Sequence, residues 1–171
     1  LTLKLKKCSF AKPEVKLLGH IIGSGRHRPD DEKLATISEL ARPTTKREVR
    51  RVLGFFSYFR AYIPNASQLT LGLSNLVAKD KPNKVVWTEV ENDAFQRLKA
   101  ALYECTRCNL FTIRYGEPFG LHVDASTSHV GACLVQWDAE GSERPISFAS
   151  AKLTGSQLSW AAIEKEACAV I

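Results

Sequence analysis

The stretch Glu117-Pro118-Phe119-Gly120-Leu121-His122-Val123-Asp124-Ala125-Ser126, running on through Gly131-Ala132-Cys133-Leu134-Val135-Gln136, constrains this chain more than any other. It reads as a strand, a Ser/Thr-rich turn and a second apolar strand. Strict alternation from Phe119 places Leu121 and Val123 on one face and His122 and Asp124 on the other. A carboxylate at a strand end has two ordinary uses: it caps the following turn through its own oxygen, or it holds a hard cation such as Mg²⁺. A second acid bears on that choice. Glu166 lies inside the apolar helical run 161–171, flanked by residues that favour burial, whereas Glu164 suits the wet side of the same helix. With a second acid in the chain the cation reading gains on turn capping, and both stay open at this point.

The rest of the composition limits the reading. With 171 residues, 44% of them hydrophobic, the chain is long enough for one good core or two small ones. No run of about 18 apolar residues is present, which excludes a membrane-spanning helix. The opening Leu1-Thr2-Leu3-Lys4-Leu5-Lys6-Lys7 is too charged for a signal core. The absence of Met and the stop in mid-helix at Ile171 lead us to expect an internal piece of a longer chain. Five cysteines, Cys8, Cys105, Cys108, Cys133 and Cys168, form no disulfide framework and point to a reducing, intracellular setting. Cys105 and Cys108 make one C-x-x-C without the second ligand pair that zinc requires. Charge is uneven: residues 1–82 carry 16 Lys/Arg against 7 Asp/Glu and residues 83–171 carry 8 against 11, so +9 and −3 give the overall +6. A basic half beside a mildly acidic one suits a nucleic-acid grip joined to a metal site, although a solvated Lys/Arg surface gives the same count.

In chain order, residues 5–11 and 15–22 read as two short strands around Lys12-Pro13-Glu14, with a further turn at Ser24-Gly25. His20 reads as a hydrogen-bonded structural histidine. Residues 30–41 read as a helix capped by Asp30 or Asp31, with Leu34, Ile37 and Leu40/Ala41 as its stripe and Pro43 as its stop. Thr45-Lys46-Arg47-Glu48 is a capping box that opens the next helix. At about 100° per residue, Val49, Val52, Phe56, Phe59 and Ile63 share one arc, and Lys46, Arg47, Arg50, Arg51, Gly54, Ser57 and Tyr58 share the other. The first arc is for burial. The second is basic with small residues in the middle, a pattern that lets a phosphate backbone approach closely. An ordinary solvated face explains the charges but not Gly54, which costs about 1 kcal/mol in a helix interior. Asn65 or Ser67 caps a helix over 67–78, with Leu69, Leu73, Leu76 and Val77 inward. Residues 79–84 read as a linker, Val85-Val86-Trp87 as a short strand, and Thr88 with Glu91 as a second capping box. The helix it opens, 89–104, carries Val90, Ala94, Leu98, Ala101 and Leu102, with Phe95 adjoining. Strands are expected near 119–123, 130–137 and 144–150, with a hairpin turn at Asp138-Ala139-Glu140-Gly141. His122 and His129, which flank Asp124, read as solvated surface residues.

Several motifs together carry a resemblance. Val-Asp-Ala-Ser (123–126), Gly-Ala-Cys-Leu-Val-Gln (131–136), Arg-Pro-Ile-Ser-Phe-Ala-Ser (144–150) and Glu-Lys-Glu-Ala-Cys-Ala-Val-Ile (164–171) resemble the first half of the ribonuclease H (RNase H) domain of Ty3/gypsy-type retrotransposon Pol polyproteins. Lys7-Cys8-Ser9-Phe10 through Leu18-Gly19-His20-Ile21-Ile22 resembles the end of that family's reverse transcriptase palm. Arg42 through Arg50, Leu53-Gly54, Tyr58-Phe59-Arg60 and Tyr62-Ile63-Pro64-Asn65 resemble its thumb, and Trp87-Thr88 through Lys99 its connector. The resemblance implies an α+β, multi-part fold: a β-hairpin at the palm end (1–28), a three-helix thumb bundle (29–80), a connection with one helix (81–115) and the start of an RNase H-like fold, three antiparallel strands plus a helix (116–171). It matches Asp124 and Glu166 to the family's first two metal-binding carboxylates, with Mg²⁺ or Mn²⁺ as the cofactor. It also implies RNA–DNA hybrid and primer–template duplex as partners, with the rest of the Pol polyprotein. Ala151 stands where an Arg is usual, and Ala167-Cys168 replace a usual Leu-Leu.

The expected function is therefore that of part of an RNA-directed DNA polymerase with RNase H activity, in which this stretch binds nucleic acid without a complete active site. The alternative is a non-catalytic nucleic-acid-binding remnant or domesticated element, in which Asp124→Asn leaves every function intact. A helical scaffold for protein partners is a third class, marked by binding that ignores salt.

Overall fold

The computed structural model describes residues 4, 8, 10–105 and 109–170, without the side chains of 33, 34, 37 and 38. The stripe residues Leu34 and Ile37, much of the expected 5–11 strand and the end of the C-x-x-C pair lie outside the described residues.

Strands β1 (Glu14–Leu17), β2 (His20–Gly23) and β3 (Arg26–Pro29) form an antiparallel meander, to which β4 (Leu110–Phe111) adds on the β3 edge. The expected single strand over 15–22 is in fact two. Leu18 and Gly19 both take positive φ, 48° and 80°, as do Ser24 and Gly25 at 50° and 70°. Two such residues in succession make the tight loop whose twist matches a hairpin. Ser24-Gly25 announces its loop, but Leu18 is an unusual residue for the left-handed region, and the apolar run 17–22 conceals the break.

Helix α1 (Asp31–Ser38) stops short of the expected 41. Asp30 caps it, accepting from the Glu32 amide at 3.2 Å, and pairs with Lys16 at 3.3 Å. Helix α2 (Lys46–Tyr58) opens on the expected capping box: the Glu48 amide donates to Thr45 Oγ1 at 3.3 Å, and Glu48 Oε2 accepts from the Thr44 and Thr45 amides. Those hydrogen bonds, Thr44 foremost, hold the Glu48 carboxyl below its ordinary pKa. A 3₁₀ turn over Arg60–Tyr62 follows, and Val49, Val52, Phe56, Phe59 and Ile63 are all buried, as their shared arc requires.

Helix α3 (Ala66–Leu76) packs against α4 (Glu89–Cys105) so closely that a Cβ on Gly72 would lie 2.8 Å from Ala94 Cβ; glycine there permits the helix contact. The inward stripe of α4 is Phe95, Leu98, Leu102 and Cys105. Val90 was expected in that stripe but is 73% exposed, since five residues before Phe95 it falls well off the arc. Residues 85–87 form no strand; one antiparallel bridge joins Thr45 to Lys84, and Val85 donates to Thr44 O at 2.9 Å. Trp87 anchors the segment instead, donating Nε1–H to Pro43 O at 2.7 Å and packing edge-on to Phe95. One core thus joins α2, α3, α4, Val85 and Leu110, so residues of the expected connection share the interior of the bundle.

Strands β5 (Gly120–Ala125), β6 (His129–Trp137) and β7 (Glu143–Lys152) form the expected antiparallel sheet, and α5 (Ala162–Val170) packs on β5 and β6. Asp138 Oδ1 closes the β6–β7 loop by accepting from the amides of Glu140 and Ser142 at 3.1 and 2.7 Å. The sheet is tied to the bundle at several points. Arg60 donates to Ser150 O at 2.6 Å, and the Ser67 amide to Ser150 Oγ at 2.9 Å. Asn65, in the left-handed region at the start of α3, lies against β6, where a Cβ on Gly131 would come within 2.5 Å of its Oδ1. Phe111 of β4 is held between the guanidinium groups of Arg26 and Arg144, 4.7 and 4.2 Å from its centroid.

Besides Leu110 in the shared core, a hydroxyl links the first sheet to the bundle. Tyr62 OH lies 2.6 Å from His27 Nδ1 and 3.0 Å from His20 Nδ1, and His20 stacks on Tyr58. Burial pushes the Tyr62 hydroxyl pKa up to about 12, so it stays protonated and serves as a hydrogen-bonding group. His20 is thus the hydrogen-bonded histidine that the sequence suggests.

Candidate nucleic-acid interface and carboxylate pair

Two groups of residues stand out as chemistry, one on α2 and one between β5 and α5. On α2, Arg47, Arg50, Arg51, Gly54, Ser57 and Tyr58 are all exposed. Lys46 is not with them. Its side chain is buried and its ammonium donates to Ala78 O at 2.6 Å, the carbonyl just past α3. As the first residue of α2, Lys46 is turned inward by the capping box, and its long stem lets the charge reach a helix-end carbonyl. The basic face is therefore three arginines around a small-residue patch. Gly54 at its middle has open space where a Cβ would stand, so no neighbour among the described residues requires a glycine there.

Asp124 is the fifth residue of β5, opposite Gly131 of β6, and is exposed. The turn that follows is bonded by another residue: Ser126 Oγ takes the amides of Ser128 and His129 at 3.4 and 3.0 Å and donates to His129 O. With Ser126 in that role, turn capping no longer accounts for the Asp124 carboxylate. Glu166 is exposed on α5, the helix packed on the strand that carries Asp124, and the Glu164 carboxylate is committed to the Ala161 amide at 2.7 Å. Lys165, between the two acids, donates to Thr127 O and Leu158 O, fastening the helix start to the loop after Asp124. Among the described residues no three acids, histidines or cysteines gather into a metal-holding group. Asp124 and Glu166 are hard oxygen donors, the type a divalent cation takes, carried on adjoining elements.

The histidines beside Asp124 differ. His122 is exposed and pairs with Glu143 at 2.8 Å, in keeping with a surface role. His129, expected in solvent, is buried. It starts β6 opposite Lys152, its Nδ1 meets Ser128 Oγ at 2.9 Å, and its Nε2 has no partner. Burial, and after it Lys152, hold its pKa below the ordinary value. The Thr154–Gln157 capping box, which introduces the turn before α5, went unread although Thr-x-x-Gln is its signature.

Against this geometry the comparisons with known proteins are direct. Residues 87–171 match the family described as the RNase H-like domain found in reverse transcriptase. The whole chain is 32% identical to the transposon Tf2-3 and Tf2-4 polyproteins of Schizosaccharomyces pombe. The chain belongs to the reverse transcriptase–RNase H family of retrotransposon polyproteins. It spans 12% of the length of those relatives. Among solved structures, the foamy viral protease–reverse transcriptase in complex with double-stranded DNA matches 97% of this chain and 28% of its own, with a TM-score of 0.85 and 25% identity. The same viral protein in complex with RNA/DNA hybrid matches 97% of this chain and 22% of its own, with a TM-score of 0.82. The fold class expected from the motifs is the one found.

Proposed function

We propose that this chain grips the backbone of an RNA–DNA hybrid or primer–template duplex through the exposed face of α2. Asp124 and Glu166 supply part of the carboxylate set for a divalent ion, Mg²⁺ or Mn²⁺, in a polyprotein that copies RNA into DNA and cleaves RNA in the hybrid. The observation that carries the reading is Gly54: a helix-interior glycine with nothing among the described residues against it, one to two turns beyond the exposed Arg47, Arg50 and Arg51. Such a glycine costs about 1 kcal/mol relative to alanine, and an external backbone that lies close to the helix gives it a use. Arginine forks suit phosphate oxygens, and Tyr58 borders the patch with an aromatic face. The viral proteins of like fold, which were captured on duplex and hybrid, support the same partner class.

When bound, a divalent ion supplies charge to stabilise a phosphodiester under attack and to activate water. This chain's own part is to present Asp124 at a strand end with its turn bonded by Ser126, and Glu166 on a helix fastened by Lys165. Two carboxylates fill only part of such an ion's shell of oxygen ligands, so the chain by itself binds hybrid without cutting it.

Binding of a fluorescent hybrid of about 20 base pairs between about 50 and 200 mM KCl tests the grip. Arg50→Ala/Arg51→Ala should weaken binding at least tenfold at the low-salt end and flatten the log–log salt slope by roughly two, one for each lost phosphate contact. An unchanged slope and affinity would overturn the assignment. Multiple-turnover hybrid cleavage by the pure chain, lost in Asp124→Asn, would overturn the statement that it binds without cutting.

A further inference from the structure

A groove of about 370 Å³ runs between α2, α3 and the end of β7, and Ser57 belongs both to its wall and to the exposed face of α2. Its polar lining consists of Ser57, Arg60, Ser67, Thr70, Ser74, Ser150 and Lys152, with no carboxylate. Arg60 is fixed by one bond to Ser150 O, which leaves its other N–H groups available. Among the described residues neither Arg60 nor Lys152 pairs with an acid. The Ser67 amide is satisfied by Ser150 Oγ, but Ser67 Oγ is buried and has no partner among the described residues. A buried hydroxyl without an acceptor is a cost in the free chain that a bound oxygen removes.

Cations and hydroxyl donors without acids select an anion. We infer that this groove seats a backbone phosphate of the nucleic acid held on α2, with Ser67 Oγ–H, Arg60 and Lys152 as its donors, so that the strand passes from the helix onto the end of β7. The inference rests on the proposed nucleic-acid reading and extends it to residues outside α2. A divalent cation does not fit the same lining, which offers it two positive charges and no carboxylate.

The discriminating variants are Ser67→Ala and Lys152→Ala, assayed beside Arg50→Ala/Arg51→Ala with the same hybrid and salt series. Lys152→Ala should weaken binding about fivefold and lower the salt slope by roughly one. Ser67→Ala should weaken binding about threefold or more with the slope unchanged, while the free chain melts no lower than the parent because an unpartnered buried hydroxyl is gone. That crossing of signs is the readout that a merely structural serine does not give. If both groove variants bind like the parent while the arginine pair weakens, the groove is off the path and the α2 reading stands. If the arginine pair is silent while the groove variants weaken, the α2 reading fails and the groove stands. Lower melting of both groove variants with unchanged binding overturns the inference. So does protection of the chain by millimolar inorganic phosphate or a nucleoside monophosphate that displaces the hybrid and depends on Ser67, since it assigns the groove to a small free anion.

Discussion

Helices α2, α3 and α4 close on an interior in which Val49, Phe56, Phe59, Leu73 and Leu98 are almost fully covered. The sheet β5–β7 covers Val135 and Ile146 but leaves Phe119, Leu121 and Trp137 38–52% exposed, and Ile163 of α5 is 78% exposed. A helical stripe needs one partner surface, and three helices supply it to one another. A sheet has two faces, and a single nine-residue helix covers only part of one. The sheet therefore takes much of its order from the bundle, through Ser150 and Gly131, and is joined to the first sheet by the Arg26–Phe111–Arg144 stack. The comparison shows that the half with the carboxylates leans on the half with the arginines.

Breaking the bundle should then cost the most. Phe56→Ala removes a ring from the centre of the core and should destabilise the chain by about 3–5 kcal/mol, with the sheet melting together with the helices. Far- and near-ultraviolet circular dichroism on one thermal ramp checks this, and a sheet signal that outlasts the helices would refute the dependence. A smaller effect should separate the halves: Gly131→Ala brings a methyl against Asn65 Oδ1, the end of an exposed side chain that can swing aside, so the cost should be about 1 kcal/mol, and Asn65→Gly should restore most of it. Asn65 already takes the left-handed conformation that glycine accepts freely, so the rescue carries no backbone penalty. Additive losses in the double variant would show that the two residues do not meet.

Acid gives the smallest effect and sharpens the comparison, since each half holds a histidine with a depressed pKa. His27, lowered by burial and then by neighbouring His20, serves the first sheet's contact with Tyr62; His129 serves β6. In both, the unfolded chain takes up protons before the folded chain does. Their contribution to stability is therefore complete above the ordinary histidine value of about 6.5 and is lost as pH falls through the lowered folded values. Melting temperature should fall between about pH 7 and 5, and His129→Asn should flatten that fall without abolishing it. A variant that keeps the full pH dependence assigns the effect to His27.

Much of this was open to sequence reasoning because it is local. The Thr45–Glu48 box, the Glu91 carboxylate on the Thr88 amide (half of the expected second box), the buried arc from Val49 to Ile63, the Asp138 loop and the three-strand order each depend on residues close along the chain. The Leu18-Gly19 loop was hidden because its first residue is one that seldom takes positive φ. Lys46 and His129 were misplaced because periodicity assigns a face, whereas their burial is decided by partners far along the chain, Ala78 O for one and the β7 edge for the other. The same holds for the candidate site. Asp124, Glu166 and the arginines were legible as types at fitting spacings, but the groove exists only where Ser67 meets Ser150, a contact that no window of sequence contains.

Phe111 sits on a two-residue strand, gripped by Arg26 from one sheet and Arg144 from the other. Arg144 is near the start of β7, and Lys152 at its far end lies roughly 26 Å away at about 3.3 Å per residue. Strand β7 is thus a connecting rod with a ball joint at one end and a wet socket at the other. The joint ties the start of β7 to strands β3 and β4, while Ser150 and Lys152 near its other end meet the bundle, so a single strand carries both attachments.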